Sequence, residues 1–282
     1  MQVIKTIREM QKWSMDRKKA GKTVAVVPTM GFLHEGHLSL IDAARANGAD
    51  AIVVTIFVNP IQFAPNEDLA TCPRDFAADT VLIENAGADL VFHPEPSELY
   101  APDACTFVNV EEITSELCGK TRPTHFRGVC TVVSKLMNIS QADRAYFGQK
   151  DAQQLAVVRR MVRDLNMNVE VVGCPIVREE DGLAKSSRNT YLSPAEREAA
   201  LVLSRAVREG HRLMEEGERD SKTILGAMRA IIEAEPLARI DYVEMVSWDS
   251  IKPVDVATSS VLVAMAVYIG KTRLIDNFIF EM

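Results

Sequence analysis

The chain has 282 residues, enough for one large domain or two smaller ones, and its 47% hydrophobic and 25% charged residues are typical of globular proteins. Its formal net charge of −7 argues against a broad nucleic-acid-binding surface, and its longest wholly apolar run, 261–269, is too short for a membrane helix. The N-terminus lacks the apolar region of a signal peptide, and five widely spaced cysteines predict a cytoplasmic protein with reduced thiols rather than a redox pair or a structural metal site.

The first predicted elements are a helix, a strand and a second helix. Residues 3–20 have the pattern of a helix that ends at Gly21. The apolar run 24–27, mostly valine, predicts a buried strand, and the following Pro-Thr-Met-Gly at 28–31 is expected to end it. A helical period then runs to about 47–48, so the segment predicts a strand, a turn and a helix.

Two histidines, His34 and His37, lie at the predicted start of that second helix. Spaced i, i+3, their imidazoles would lie on one helix face. A helix N-terminus carries unpaired N–H groups and partial positive charge, which favour a bound phosphate and lower the pKa of an imidazole. Gly36 between them leaves room for a ligand to come close. We interpret this segment as a nucleotide phosphate site, held by His34, His37 and backbone amides.

Other metal and nucleotide motifs fit this sequence less well. A zinc site is the alternative use of the histidines, although His-Glu-Gly-His lacks the i, i+4 zincin spacing and needs a distant third ligand. Gly-Lys-Thr occurs at 21, 119 and 270, but each copy lacks the glycine that a P-loop requires five residues earlier. The chain contains no Gly-x-Gly-x-x-Gly dinucleotide fingerprint either.

Strands and helices alternate up to residue 177. Strands are predicted at 51–58, 89–92, 145–147 and 169–172, and helices at 75–86, 129–139 and 155–165. This alternation predicts a Rossmann-like, doubly wound parallel α/β sheet, whose ligands bind beyond the carboxyl ends of the strands. The histidine pair, Gln62 and Lys150 all follow predicted strands, which supports one common site.

The pattern changes after residue 177. Residues 178–192 are polar and rich in turn formers, which predicts a hinge or a lid that closes over the nucleotide. Helices are then predicted at 194–217 and 221–234, and antiparallel strands at 240–247, 260–269 and 274–280. We therefore expect a Rossmann-like domain over 1–177 and a smaller α+β domain over 178–282.

Two basic clusters accompany the histidines. Lys150 lies at a strand-to-helix turn, where it would contact a phosphate and where Asp151 would cap the helix. Lys185-Ser186-Ser187-Arg188 combines two hydroxyls with two cations, the composition of a mobile phosphate clamp. A surface lysine and a solvated turn are the corresponding ordinary interpretations, and the residues alone leave both open. Nucleophilic serine chemistry is not indicated, because no Gly-x-Ser-x-Gly elbow surrounds the serines.

Together these segments resemble a known family. His-Glu-Gly-His at 34–37 resembles the HIGH-type signature of the nucleotidyltransferase superfamily, and 185–188 is similar to its KMSKS-like loop. Five segments resemble the pantothenate synthetase (pantoate–β-alanine ligase) family in order and spacing: PTMGFLHEGH (28–37), IFVNPIQF (56–63), RPTHFRGV (122–129), YFGQKDAQQL (146–155) and DGLAKSSRN (181–189). The ending RLIDN (273–277) also fits.

The resemblance implies a reaction. In this family the pantoate carboxylate attacks the α-phosphate of ATP, and the amine of β-alanine then attacks the pantoyl adenylate and releases AMP. Such transfers require positioning and charge stabilisation more than a covalent nucleophile, which agrees with the residues found. The resemblance also implies that magnesium enters with ATP and that the protein is a homodimer.

The resemblance further implies roles for particular residues. It implies ATP binding by Met30, Gly31, His34, His37, Gly148, Lys150, Asp151, Val177, Lys185, Ser186, Ser187 and Arg188. It implies catalytic roles for His34, His37, Lys150, Ser186, Ser187 and Arg188, with His37 as the acid. Gln62 and Gln154 match pantoate-binding glutamines, whose amides offer both a donor and an acceptor. Asp79 matches an acidic position near the metal in some members, although Ala78 and Leu82 supply no neighbouring ligands.

The sequence also departs from the family pattern. Gln149 replaces a usual Glu, Lys185 replaces an apolar residue, and Cys72 replaces a Tyr near the pantoate pocket. These departures bear on affinity rather than on the class of reaction. The alternatives are another adenylyl-transferring enzyme, such as a fragment of a class I aminoacyl-tRNA synthetase, a non-catalytic nucleotide-binding module, or a zinc hydrolase built on the two histidines.

Overall fold

The computed structural model describes residues 1–64 and 74–282. Within them, the first part of the chain forms a six-stranded parallel sheet in the order β1-β4-β3-β2-β5-β6. Its strands are β1 (Gln2–Ile4), β2 (Val24–Thr29), β3 (Ala51–Ile56), β4 (Leu90–Phe92), β5 (Arg144–Gly148) and β6 (Glu170–Cys174). Every residue of β3 is buried, as expected for a parallel strand covered on both faces. The predicted doubly wound α/β fold is confirmed.

Helices connect these strands and cover the sheet. They are α1 (Ile7–Lys19), α2 (Glu35–Ala46), α3 (Phe76–Asn85), α4 (Pro96–Leu99), α5 (Cys118–Thr121), α6 (His125–Ser140) and α7 (Ala152–Asp164). Short 3-10 helices at Pro60–Gln62 and Gln149–Asp151 lie just beyond the carboxyl ends of β3 and β5. Two of the segments predicted to carry ligand-binding residues therefore leave the same edge of the sheet.

The N-terminal prediction was wrong in two places. Residues 2–4 form strand β1 rather than the start of a helix, and Thr6 caps α1 by accepting from the backbone N–H of Glu9. Strand β2 also continues through Pro28 to Thr29 instead of ending at Val27. Because β5 pairs with β2 only at Ala25 and Val26, the proline lies where the strand has one described neighbour, and its missing N–H is tolerated there.

The second part of the chain forms an antiparallel sheet in the order β7-β8-β9. Its elements are α8 (Pro194–Ala199), α9 (Leu201–Glu215), α10 (Ser221–Glu233), β7 (Ala238–Ser247), β8 (Val261–Ile269) and β9 (Thr272–Phe280), and a third 3-10 helix, Ser187–Tyr191, precedes them. The helix predicted over 194–217 is divided at Ala200, and the other predicted elements are confirmed to within a few residues.

The small sheet is buried on both faces. One face carries Val263 and Met265, which pack with α9 and α10, whereas Leu262 and Ala264 on the other face join the hydrophobic core formed with α6 and α7. The core that the small sheet forms with α9 and α10 therefore lies directly against the core that it shares with α6 and α7. The proposed boundary at residue 178 stays a prediction, because the core shared with α6 and α7 contains residues from both sides of it. Among the described residues, no helix combines the length and the apolar character needed to cross a membrane.

Candidate active site

The turn between β2 and α2 is held by a buried carboxylate. Asp79, on α3, accepts from the backbone N–H of Phe32 (2.8 Å) and of Leu33 (2.7 Å). Gly31 and Phe32 both have positive φ angles, +85° and 52°, and a Cβ added to Gly31 would lie 3.0 Å from the Asp79 carboxylate. Gly31 thus shapes this turn, and Asp79 compensates the strain at Phe32.

The metal role considered for Asp79 gains no support from this geometry. Both of its carboxylate oxygens accept hydrogen bonds from backbone N–H groups, so the carboxylate already stabilises the turn. Among residues 1–64 and 74–282, no group of three or more His, Cys, Asp and Glu side chains is placed to hold a metal ion. The zinc alternative at His34 and His37 therefore lacks a third ligand within those residues.

The two histidines form the cap of α2. His34 is the N-cap residue, and its Nδ1 accepts from the backbone N–H of Gly36 (3.1 Å). The Nδ1 of His37, one turn on, accepts from the backbone N–H of His34 (3.3 Å), and the ring centroids lie 4.2 Å apart. Because both Nδ1 atoms act as acceptors, each neutral ring carries its proton on Nε2. The pair therefore presents two Nε2–H donors.

Both histidines are neutral at physiological pH. Burial, and secondarily the positive charge of Lys150, lowers the pKa of His34 from 6.5 to about 4. Burial, followed by His34 and Lys150, lowers the pKa of His37 to about 3. A neutral imidazole is a weak proton donor but a good hydrogen-bond donor. Both rings are therefore suited to act as neutral hydrogen-bond donors, and the role of His37 as the acid, which the family resemblance implies, stays a prediction.

A cavity of about 250 Å³ brings the predicted residues together. Of the predicted ATP- and pantoate-binding residues, its lining includes Met30, His34, His37, Gln62, Gly148, Lys150, Asp151, Gln154, Val177, Lys185, Ser186, Ser187 and Arg188. Gly31 and Asp79 are outside this lining, because they shape the turn behind it. Segments that are more than 150 residues apart in sequence thus meet around one space.

One wall of the cavity is apolar and carries an oriented amide. Asn59, 1% exposed, donates to the Gln62 Oε1 (3.0 Å) and to the Gly128 carbonyl (3.1 Å), and accepts from the Tyr100 hydroxyl (2.8 Å). The Gln62 Oε1 is thereby occupied, and its Nε2 lies 3.1 Å from the Met30 sulfur. Asn59 was not predicted as a site residue from the sequence, although its place three residues after the end of β3 was the available signal.

Lys150 stands on the 3-10 helix that follows β5. Its charge contributes to the lowered pKa of both histidines, which shows that the three side chains share one electrostatic environment. Asp151 occupies the N-cap position of α7, but the prediction that its side chain caps the helix was wrong: within the described residues its carboxylate makes no capping hydrogen bond. Asp151 lines the cavity instead.

The loop 178–192 is anchored at its base and reaches over α2. Glu179 and Asp181 both pair with Arg197 of α8, at 2.9 Å and 2.7 Å. The backbone N–H of Lys185 donates to the Val177 carbonyl (2.9 Å), and the Lys185 Nζ lies 3.1 Å from Glu35 at the start of α2. The loop thus extends from the small domain to the histidine cap.

A larger chamber of about 680 Å³ adjoins the first cavity. Lys150, Asp151, Gln154 and Arg188 line both spaces, so the two meet at the cationic residues. Its far wall is formed by β7, β8 and β9, where Arg273 pairs with Asp241 at 2.8 Å. This chamber was not predicted from the sequence, because it depends on how the small sheet packs against α5 and α6.

Comparison with known proteins identifies the family. A sequence model described as pantoate-beta-alanine ligase matches residues 2–279. The chain belongs to the pantoate–β-alanine ligase family. It is 56% identical over 280 residues to the pantothenate synthetase of Ruminiclostridium cellulolyticum, covering 99% of both chains, and 58% identical over 276 residues to that of Clostridium novyi, covering 98% of this chain and 97% of the relative.

Solved structures of the same family share the fold. A crystal structure of pantothenate synthetase from Thermus thermophilus matches with a TM-score of 0.92 and 43% identity, covering 99% of both chains. The Francisella tularensis pantoate–β-alanine ligase, complexed with beta-gamma ATP and beta-alanine, matches with a TM-score of 0.78 and 30% identity, covering 99% of this chain and 97% of that chain. Membership of the ligase family thus rests on the whole chain.

Two of the three departures from the family pattern can be located. Lys185, which lines the cavity, pairs with Glu35, so its added charge is partly compensated. The Gln149 carbonyl accepts a hydrogen bond from Asn277 on β9 (3.1 Å). Cys72 lies outside the described residues.

Proposed function

We propose that this ligase condenses pantoate with β-alanine through a pantoyl-adenylate. In the first step a pantoate carboxylate oxygen attacks the α-phosphorus of ATP, and the bond to pyrophosphate breaks. In the second step the amine of β-alanine attacks the acyl carbon, loses a proton, and AMP leaves. The observation that carries this proposal is the 250 Å³ cavity around which neutral donors, cations and the oriented Gln62 amide are gathered.

The phosphates of ATP are assigned to the histidine and cationic side of that cavity. His34 and His37 donate from Nε2 to phosphate oxygens, a role supported by their occupied Nδ1 atoms. Lys150 and Arg188 stabilise the charge that develops on the transferring phosphate and on the leaving pyrophosphate, and Ser186 with Ser187 adds hydroxyl donors. Met30, Gly148, Asp151, Val177 and Lys185 complete the proposed ATP contacts. Magnesium is expected to arrive bound to the ATP phosphates.

Pantoate is assigned to the wall formed by α6. This wall has an apolar surface that suits the branched hydrocarbon part of pantoate. The surface is formed by four residues on one face of α6: Val129, Val132, Val133 and Leu136. Gln62 and Gln154 would bind its hydroxyl and carboxylate groups. The support for Gln62 is its fixed amide, whose Oε1 accepts from Asn59 and leaves Nε2 as the donor.

The 680 Å³ chamber is the proposed approach for β-alanine. It meets the first cavity at Lys150 and Arg188, where the acyl phosphate would form, and its wall carries the cationic Lys271 and also Arg273, which is paired with Asp241. A small zwitterion with a carboxylate suits such a wall. This arrangement lets the amine approach while ATP and pantoate occupy the other space.

Pyrophosphate exchange tests the function directly. The purified chain should exchange labelled pyrophosphate into ATP only when pantoate is added, and should form pantothenate and AMP when β-alanine follows. Exchange that depends on another carboxylic acid and not on pantoate would indicate a different acyl substrate, as in the alternative adenylyl-transferring enzyme. ATP binding without any exchange would indicate the non-catalytic module.

Three further properties belong to the proposal. The anchored loop 178–192 is expected to close over ATP, and unchanged hydrogen exchange of its amides on ATP binding would contradict a lid. A homodimer is expected from the family resemblance, and sedimentation equilibrium tests it. The cytoplasm is the expected location, supported by the odd number and wide spacing of the cysteines.

A further inference from the structure

Strand β9 carries two consecutive buried polar residues, Asp276 and Asn277, with exposures of 1% and 4%. Successive strand residues face opposite sides of a sheet, so the two side chains leave β9 in opposite directions. Asp276 lies on the same face of β9 as Leu274, which belongs to the core formed with α9 and α10. Asn277 lies on the same face as Ile275, which packs against the core that includes α6 and α7. Buried polar side chains at such positions need partners.

Asn277 bonds to the turn that carries Lys150. Its Nδ2 donates to the carbonyl of Gln149 (3.1 Å) and to the carbonyl of Lys150 itself (2.8 Å). Both hydrogens of the amide are thereby used on two successive peptide groups. This pair of bonds fixes the backbone from which the Lys150 side chain projects.

Asp276 bonds to the loop that carries Ser186, Ser187 and Arg188. Its carboxylate accepts from both Nη atoms of Arg178, at 2.7 Å and 2.9 Å, in a bidentate pair. Arg178 also donates to the Gly182 carbonyl (3.1 Å), so the guanidinium ties the first turn of the loop together. The loop base is therefore attached to the same strand as the Lys150 turn.

We propose that Asp276 and Asn277 are positioning residues through which the small sheet sets the two cationic segments of the active site relative to each other. The inference rests on the adenylation proposed above. Both residues line the larger chamber but not the 250 Å³ cavity. Their effect on the first half-reaction therefore passes through Lys150 and the loop.

A double-mutant cycle on the first half-reaction tests the Asn277 part. Asn277→Ala is measured alone and with Lys150→Ala by pantoate-dependent pyrophosphate exchange, without β-alanine. Because a displacement of about 1 Å can cost on the order of a hundredfold, we expect Asn277→Ala to lower kcat about tenfold to a hundredfold. The KM for pantoate should stay within about twofold, and Asn277→Ala should lower kcat no further in the Lys150→Ala background.

The control cycle pairs Asn277→Ala with His34→Gln, because the Asn277 side chain makes no hydrogen bond to the His34 backbone. In that cycle the two losses in kcat should multiply. Losses that multiply equally in both cycles, together with a lowered Tm, would mean a structural role and overturn the proposal. If Asn277→Ala does not fold, the isosteric Asn277→Asp replaces it. The Kd for ATP, measured by calorimetry on the same proteins, gives the coupling independently of whether pantoate is the acid substrate.

The Asp276 part is tested on the loop itself. Asp276→Asn should speed hydrogen exchange of the 178–192 amides and raise the KM for ATP, and adding Arg178→Gln should change neither further. Arg197→Gln, which breaks the other anchor of the loop, is the matched comparison and should add to Asp276→Asn. Unchanged exchange of these amides in Asp276→Asn would overturn the loop part of the proposal.

Discussion

Replacement of Asp79 by Asn distinguishes its role in the turn from a role in metal binding. The variant keeps the size of the side chain and removes its charge. One of the two bonds, to Phe32 or Leu33, is lost, because the amide nitrogen then faces a backbone N–H. Hydrogen bonds to a buried charged group are worth about 1.5–3 kcal/mol each, and Phe32 adds backbone strain. We expect a loss of about 2–4 kcal/mol in the free energy of unfolding.

Thermal unfolding with and without magnesium measures this loss. In a chain of this size the Tm should fall by about 5–10 °C. Asp75→Asn is the matched control, since Asp75 is the exposed N-cap of the same helix and Asn caps equally well. An unchanged Tm for Asp79→Asn, with exchange that needs far more magnesium than the wild type, would refute the turn role and make Asp79 a metal ligand.

Three other changes probe the site. Lys150→Ala should lower transition-state stabilisation by about 3–4 kcal/mol in pyrophosphate exchange, and near-normal turnover would remove this lysine from the mechanism. Gly128→Ala places a Cβ 2.5 Å from the backbone of the 60–62 3-10 helix, so it should raise the KM for pantoate and lower the Tm, whereas Gly226→Ala on α10, with open space around it, should not. Because the pKa values of His34 and His37 are about 4 and 3 in the folded chain and near 6.5 when unfolded, the unfolded chain binds more protons in between. Stability should be full above about pH 6.5 and decrease toward pH 4, and a Tm–pH curve for His37→Gln that overlays the wild type would contradict this.

Local signals were sufficient for much of the fold and for the place of the two histidines at the start of α2. Buried strands such as β3 have long apolar runs, and the histidine cap depends on residues three positions apart. Strand β1 was missed because it has three residues and pairs with β4, nearly ninety residues away. Pro28 misled the prediction of the end of β2, because the reduced pairing with β5 that tolerates it is a tertiary property.

The supporting residues could not be predicted for a related reason. Asn59 acts on Gln62 through a bond that also requires the Gly128 carbonyl of α6, and Asp79 acts on a turn 46 and 47 residues before it. Asn277 bonds to carbonyls 127 and 128 residues away. A buried Asn or Asp is informative once its partners are known, but its sequence neighbours do not name them.

The proposed phosphate site combines two neutral hydrogen-bond donors, His34 and His37, with two permanently charged side chains, Lys150 and Arg188. His34 and His37 are held by their own helix cap, because hydrogen bonds within four residues suffice to orient them. Lys150 and Arg188 lie on segments that β9 also holds, through the Asn277 bonds to the Lys150 turn and the Asp276 pair at the loop base, and the charge that they are proposed to stabilise develops only as the phosphate bond breaks. A permanent cation stabilises that charge most strongly when it is placed in advance, because no reorganisation is then needed during the reaction. Such placement explains why β9 carries the buried Asp276 and Asn277. Asn277 holds a backbone carbonyl of the Lys150 turn and Asp276 holds the loop base, although neither residue lines the cavity where phosphate is proposed to bind.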